Sequence, residues 1–97
     1  MVLISVKVRL KGVLSWIVNE SDIVIEVEKG ASLADVFVIL GKRYGNELQN
    51  LLLDPDGAVS KGVVVLMDNA TLPHQNFAKV RIERACAMTL VPLAAGG

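Results

Sequence analysis

A chain of 97 residues is long enough for one domain and one hydrophobic core. Its 53% apolar content excludes a disordered, self-solvating chain. Lys and Arg number 10 and Asp and Glu number 10, so the basic excess of a nucleic-acid binder is missing.

Single residues narrow the chemistry further. Cys86 is the one cysteine, which allows neither an intrachain disulfide nor a cysteine-based metal site. Met1-Val2-Leu3-Ile4-Ser5-Val6-Lys7 lacks the basic region and long apolar run of a signal peptide. No apolar run is long enough to span a bilayer. The expectation is a soluble, cytoplasmic protein that binds neither membrane nor nucleic acid.

In chain order, Val2, Ile4, Val6, Val8 and Leu10 alternate with Leu3, Ser5, Lys7 and Arg9, which predicts a strand. Residues 11–22 read as a connection, punctuated by Gly12 and Asn19-Glu20-Ser21-Asp22. It contains an apolar cluster around Trp16. Ile23 to Glu28 alternates again, and the two strands predict an antiparallel hairpin.

Ser32 followed by Asp35 reads as a capping box with Asp in place of Glu. Leu33, Val36, Phe37, Leu40 and Tyr44 then form a helical stripe over about residues 32–44, and Gly45 suits its end. Leu48, Leu51, Leu52 and Leu53 suggest a further helical turn. Asp54-Pro55-Asp56-Gly57 is a turn, with Pro presetting φ and Gly supplying the left-handed residue.

Val63 to Met67 is an unbroken apolar run, which reads as a strand buried on both faces. Residues 71–78 read as a loop, and 80–93 as extended with a break inside. The order predicts an α+β fold of two layers, one mixed β-sheet with one main helix packed across it. The first and last long strands should lie side by side and parallel at its centre. The expected core is Val6, Val8, Ile25, Val27, Leu33, Val36, Phe37, Leu40, Val64, Leu66 and Leu90.

The chain closes on Ala94-Ala95-Gly96-Gly97. Glycine has no Cβ, and the two alanines keep the approach slim. Such a tail can carry a carboxylate through a narrow channel into another protein. The competing reading is a frayed terminus.

Four segments together resemble the ubiquitin-like sulfur carriers, above all the small subunit of molybdopterin synthase and its archaeal modifier relatives. They are Lys29-Gly30-Ala31-Ser32-Leu33, Leu51-Leu52-Leu53-Asp54-Pro55-Asp56-Gly57, Val63-Val64-Val65-Leu66-Met67-Asp68-Asn69, and Thr89-Leu90-Val91-Pro92-Leu93-Ala94-Ala95-Gly96-Gly97. The chain departs from that pattern at Asn69-Ala70, where the family tends to have Asn-Gly. It departs again at Glu83-Arg84-Ala85-Cys86, where the family has a Gly-Asp turn.

The resemblance implies a β-grasp domain over residues 1–93 and a flexible tail over 94–97. It implies that an ATP-dependent activating enzyme adenylates Gly97, which becomes a thiocarboxylate, with Gly96 as the permissive link. Leu90, Val91, Pro92, Leu93, Ala94 and Ala95 would lie against the partner. The sulfur would pass to a pterin precursor in the large subunit of molybdopterin synthase. The chain would then be a protein co-substrate and no enzyme by itself, with no cofactor or metal of its own. The alternatives are a modifier joined through Gly97 to lysines of target proteins, and a β-grasp interaction module whose tail does nothing. A thiamin-pathway carrier fits less well, because those chains lack the segment Glu47 to Lys61.

Four other features have competing readings. Cys86 is either a reactive thiol or, more commonly for a lone cysteine, a packed strand residue. His74 has no second ligand near it in sequence. Asp54 and Asp56 open like a calcium loop but lack its remaining ligands, so a turn is the better account. Trp16 is either a partner patch or a core plug.

Overall fold

The computed structural model describes residues 2–93. Strands β1 (Leu3–Leu10) and β2 (Asp22–Glu28) form the expected antiparallel hairpin, with Val6 opposite Ile25. Both alternate strictly, the even positions of β1 and the odd positions of β2 being buried. On the open face, Arg9 Nε donates to Asp22 Oδ1 at 2.9 Å and holds that carboxyl below its ordinary range. Both side chains are solvated, so the pair contributes little to stability.

The main helix, α2 (Leu33–Tyr44), starts where the cap predicts. The Asp35 amide donates to Ser32 Oγ and the Ser32 amide donates to Asp35 Oδ2, both at 3.0 Å. Two otherwise unpaired donors of the first turn are thereby satisfied. Leu33, Val36, Phe37 and Leu40 face the sheet and are enclosed. Helix α3 (Asn46–Leu52) follows across Gly45 and packs on α2.

Gly41 has a packing reason to interrupt α2. A Cβ there would lie 2.7 Å from Gln49 Cβ and 2.6 Å from Gln49 Oε1. Gly41→Ala offers about 1 kcal/mol of helix propensity, against an overpacking cost of about 1–3 kcal/mol. The expected outcome is a net loss on the order of 1 kcal/mol in urea unfolding. A gain would show that α3 can move away freely.

Strands β4 (Val63–Met67) and β7 (Cys86–Pro92) complete the centre. The sheet order is β2-β1-β7-β4-β5, with β5 at Ala70–Leu72. β1 and β7 are adjacent and parallel as expected, while β4 and β7 are antiparallel. Asp68 and Asn69 turn the β4–β5 hairpin with positive φ, at 51° and 74°, which short polar side chains tolerate. A short ladder of β3 (Ala31–Ser32) with β6 (Arg81–Ile82) lies outside this sheet.

Three expectations need correction. The connection after β1 contains a short helix, α1 (Val13–Val18), whose Leu14 is fully enclosed. The segment expected as a loop holds β5 and a 3-10 helix over His74–Lys79, anchored by buried Phe77. In β4, Val63 and Val65 are buried, whereas Val64 and Leu66 face the other side and are half-buried. Val65 pairs with Leu90, and that register sets the inward face.

Candidate functional site at the end of the last strand

β7 leads toward the C-terminus, and its backbone is held on both sides. Leu90 pairs with Leu10 of β1 and Val65 of β4, and Pro92 pairs with Val63. The Lys11 amide donates to the Leu90 carbonyl at 3.0 Å, and the Leu93 amide donates to the Gly62 carbonyl at 2.8 Å. The root of the tail is therefore fixed up to Leu93. The expected tail residues Ala94, Ala95, Gly96 and Gly97 lie outside the described residues.

Gly12 makes this end compact. Its φ of 56° and ψ of −137° suit only glycine, and a Cβ there would sit 3.3 Å from Pro92 Cγ. α1 can thus start directly beside the end of β7. Of the residues expected to meet a partner, Leu90 is fully enclosed in the core. Val91 and Pro92 are half-buried, and Leu93 is 56% exposed, so these three carry the accessible surface.

Beside them lies an apolar cleft of about 580 Å³, bordered by α1, α3 and the ends of β4 and β7. Val13, Leu51, Pro92 and Leu93 supply much of its wall. Trp16 is 87% exposed, which excludes the core-plug reading. Sequence reasoning singled out Leu93, which lines the cleft, and Trp16, which does not, but had no signal that Leu51 and Gly12 would join Leu93 there.

The other candidates are dispersed. Cys86 is a half-buried residue of β7 beside Val6 of β1. Burial pushes its thiol up, the Asp68 carboxylate adds to that, and Arg84 opposes it. A raised thiol holds less thiolate at neutral pH. Cys86 should therefore react with iodoacetamide more slowly than a cysteine in an unstructured peptide, and the deficit should shrink as pH rises. Labelling at the peptide's rate would restore the reactive reading.

His74 is exposed in the 3-10 helix, and no group of three metal-ligating side chains occurs among the described residues. Asp54 and Asp56 shape a turn. The Gly57 amide donates to the Asp54 carbonyl at 2.8 Å, and the Ala58 amide donates to Asp56 Oδ1 at 3.0 Å. Among the described residues, no helix is long and apolar enough to cross a membrane.

No protein-family model matches the chain, and no curated protein matches it. Solved structures do. The HVO 2177 protein of Haloferax volcanii superposes with a TM-score of 0.82 at 24% identity, over 98% of this chain and 88% of that one. The small archaeal modifier protein 1 of Methanosarcina acetivorans gives 0.79 at 16% identity, over 100% of both chains. A Pyrococcus furiosus protein assigned as molybdopterin converting factor, subunit 1, gives 0.70 at 15% identity, over 92% of this chain and 97% of that one. The chain thus has the ubiquitin-like β-grasp fold, the fold of small archaeal modifier and molybdopterin converting factor structures.

Proposed function

We propose that this chain is a sulfur carrier whose reacting group is the carboxylate of Gly97. The observation that carries the reading is the Ala94-Ala95-Gly96-Gly97 segment, which follows a rigidly paired last strand of a β-grasp domain. From Leu93, four residues reach about 13–14 Å when extended. The fixed root aims the tail, and the missing side chains let it thread a narrow channel.

A carboxylate is a poor electrophile and needs activation. In this reading a separate enzyme binds ATP, the Gly97 carboxylate attacks the α-phosphorus, and pyrophosphate leaves. A sulfur nucleophile at the sulfide level then attacks the acyl-adenylate carbon, and AMP departs with the bonding pair. The thiocarboxylate passes its sulfur to a pterin precursor held by the large subunit of molybdopterin synthase. This chain is the co-substrate, and the acids, bases and ATP site belong to its partners.

The likeness to a small archaeal modifier supports a second reading, in which a lysine amine replaces sulfur as the nucleophile and an amide results. Intact-mass spectrometry separates the two after incubation with the activating enzyme of the same organism, ATP and a sulfur source. A mass gain equal to exchange of one oxygen for sulfur at the C-terminus supports the carrier. Lysine conjugates without thiocarboxylate move the answer to modifier. An unchanged chain leaves the interaction module.

A further inference from the structure

We propose that the outer edge of β2, with the cleft between it and α2, takes up an extended segment of a partner protein in which basic and apolar residues alternate. β2 ends the five-stranded sheet and pairs on one side only, with β1. The flanking Ser21 carbonyl and Lys29 amide bond to β1. Odd positions of β2 therefore turn their backbone groups toward β1, and even positions turn them away. At Val24 the outward carbonyl accepts from Arg43 Nη1 at 3.1 Å. Among the described residues, no hydrogen bond from outside the β1–β2 ladder reaches the backbone of Glu26 or Glu28. That stretch is an open template for strand addition.

A cleft of about 520 Å³ lies along it. Val38 and Ile39 of α2 line the cleft and are half-buried. Glu26, Glu28 and Asp35 outnumber Lys29 among its charged lining residues. Side chains of an added antiparallel strand alternate between the two faces of the sheet. Those opposite Glu26 and Glu28 share the open face with these exposed carboxylates. The ones between them fall on the α2 side, beside Val38 and Ile39. The occupant is therefore basic at one set of positions and apolar at the other.

β1 shows that β2 accepts this pattern. Its Val6-Lys7-Val8-Arg9 stretch runs antiparallel to β2 with both valines buried. Lys7 stands opposite Val24, and Arg9 pairs with Asp22. A second copy of the chain is a poor occupant, because two β2 edges would set Glu26 and Glu28 against their own kind. The site is also remote from the tail. Glu28 pairs with Leu3, whereas Leu90 pairs with Leu10, roughly 23 Å further along β1. A partner on this edge leaves the tail open, and the proposal does not depend on the chemistry of Gly97.

The probe is an acetylated, amidated peptide, Val-Lys-Val-Arg-Val, added to the 15N-labelled full chain. At saturation, hydrogen exchange of the Glu26 and Glu28 amides should slow about tenfold or more. The Ile25 and Val27 amides, already bonded to β1, should change less than about twofold. N-methylation of the peptide's Lys and Arg, whose amides face β2 in an antiparallel pair, should abolish binding. N-methylation of its central Val, whose amide faces away, should alter affinity less than about threefold. Glu26→Lys combined with Glu28→Lys should weaken binding about tenfold or more, and the difference from the unaltered chain should narrow as salt rises. A chain lacking residues 94–97 should bind the peptide equally well.

No binding of the unmodified peptide at millimolar concentration overturns the proposal. Binding that leaves the Glu26 and Glu28 amides unprotected, or that both N-methylated peptides lose equally, overturns strand addition at this edge. Protection of the same amides without peptide, growing with protein concentration, overturns the occupant and gives the edge to a second copy.

Discussion

Phe37→Ala should cost about 3–5 kcal/mol of folding stability. Phe37 lies in the middle of α2, faces the sheet and has no solvent exposure. It is the largest enclosed side chain in the described core. Its removal loses apolar transfer energy and leaves a cavity among neighbours fixed on a sheet and a helix, which relax only partly.

A domain of this size has a total stability of about 5–15 kcal/mol. The variant should therefore lose at least about a fifth of that stability. Each kcal/mol lost corresponds to a fall of about 4–8 °C in Tm. Urea denaturation with an unchanged slope and a lowered midpoint is the expected result. A loss below about 1 kcal/mol would place Phe37 outside the core.

Phe37 was legible in the sequence because helix period and capping agree. Ser32 and Asp35 set the start of α2, and the i, i+3, i+4, i+7 stripe set its inward face. β1 and β2 were legible for the same reason at period two. β4 was legible as a strand, but its inward face was not, because apolar residues at all five positions erase the alternation. Only its register against β7 distinguishes Val63 and Val65 from Val64 and Leu66.

α1 lacks a side-chain cap and spans only six residues, so local propensity gives it little signal. Its packing on α3 and β7, with Leu14 buried, holds it. β6 and the 3-10 helix are short elements of the same sort, fixed by Ile82 and Phe77 in the core. The candidate site divides along the same line. The glycine tail and Trp16 stand out in the sequence, but the cleft joins Gly12, Leu51, Gly62 and Leu93, which only the fold brings together.

Deleting Gly97 should abolish transfer and leave the fold untouched. The deletion moves the terminal carbonyl back by one residue, about 3.3–3.6 Å along an extended tail. An error of about 1 Å in near-attack geometry already costs on the order of 100-fold. The partner can recover the distance only by drawing the domain inward, against the strand pairing and the Leu93-to-Gly62 hydrogen bond that fix the root.

Pyrophosphate exchange with the activating enzyme should therefore fall at least 100-fold, while the urea midpoint stays within about 0.5 kcal/mol of the unaltered chain. Gly96→Val should be nearly as harmful, because a β-branched side chain widens the tail and stiffens it. These two variants test different properties, reach in one and slimness in the other. A chain without Gly97 that is still adenylated and thiolated at the normal rate would remove the terminal carboxylate of Gly97 from the chemistry.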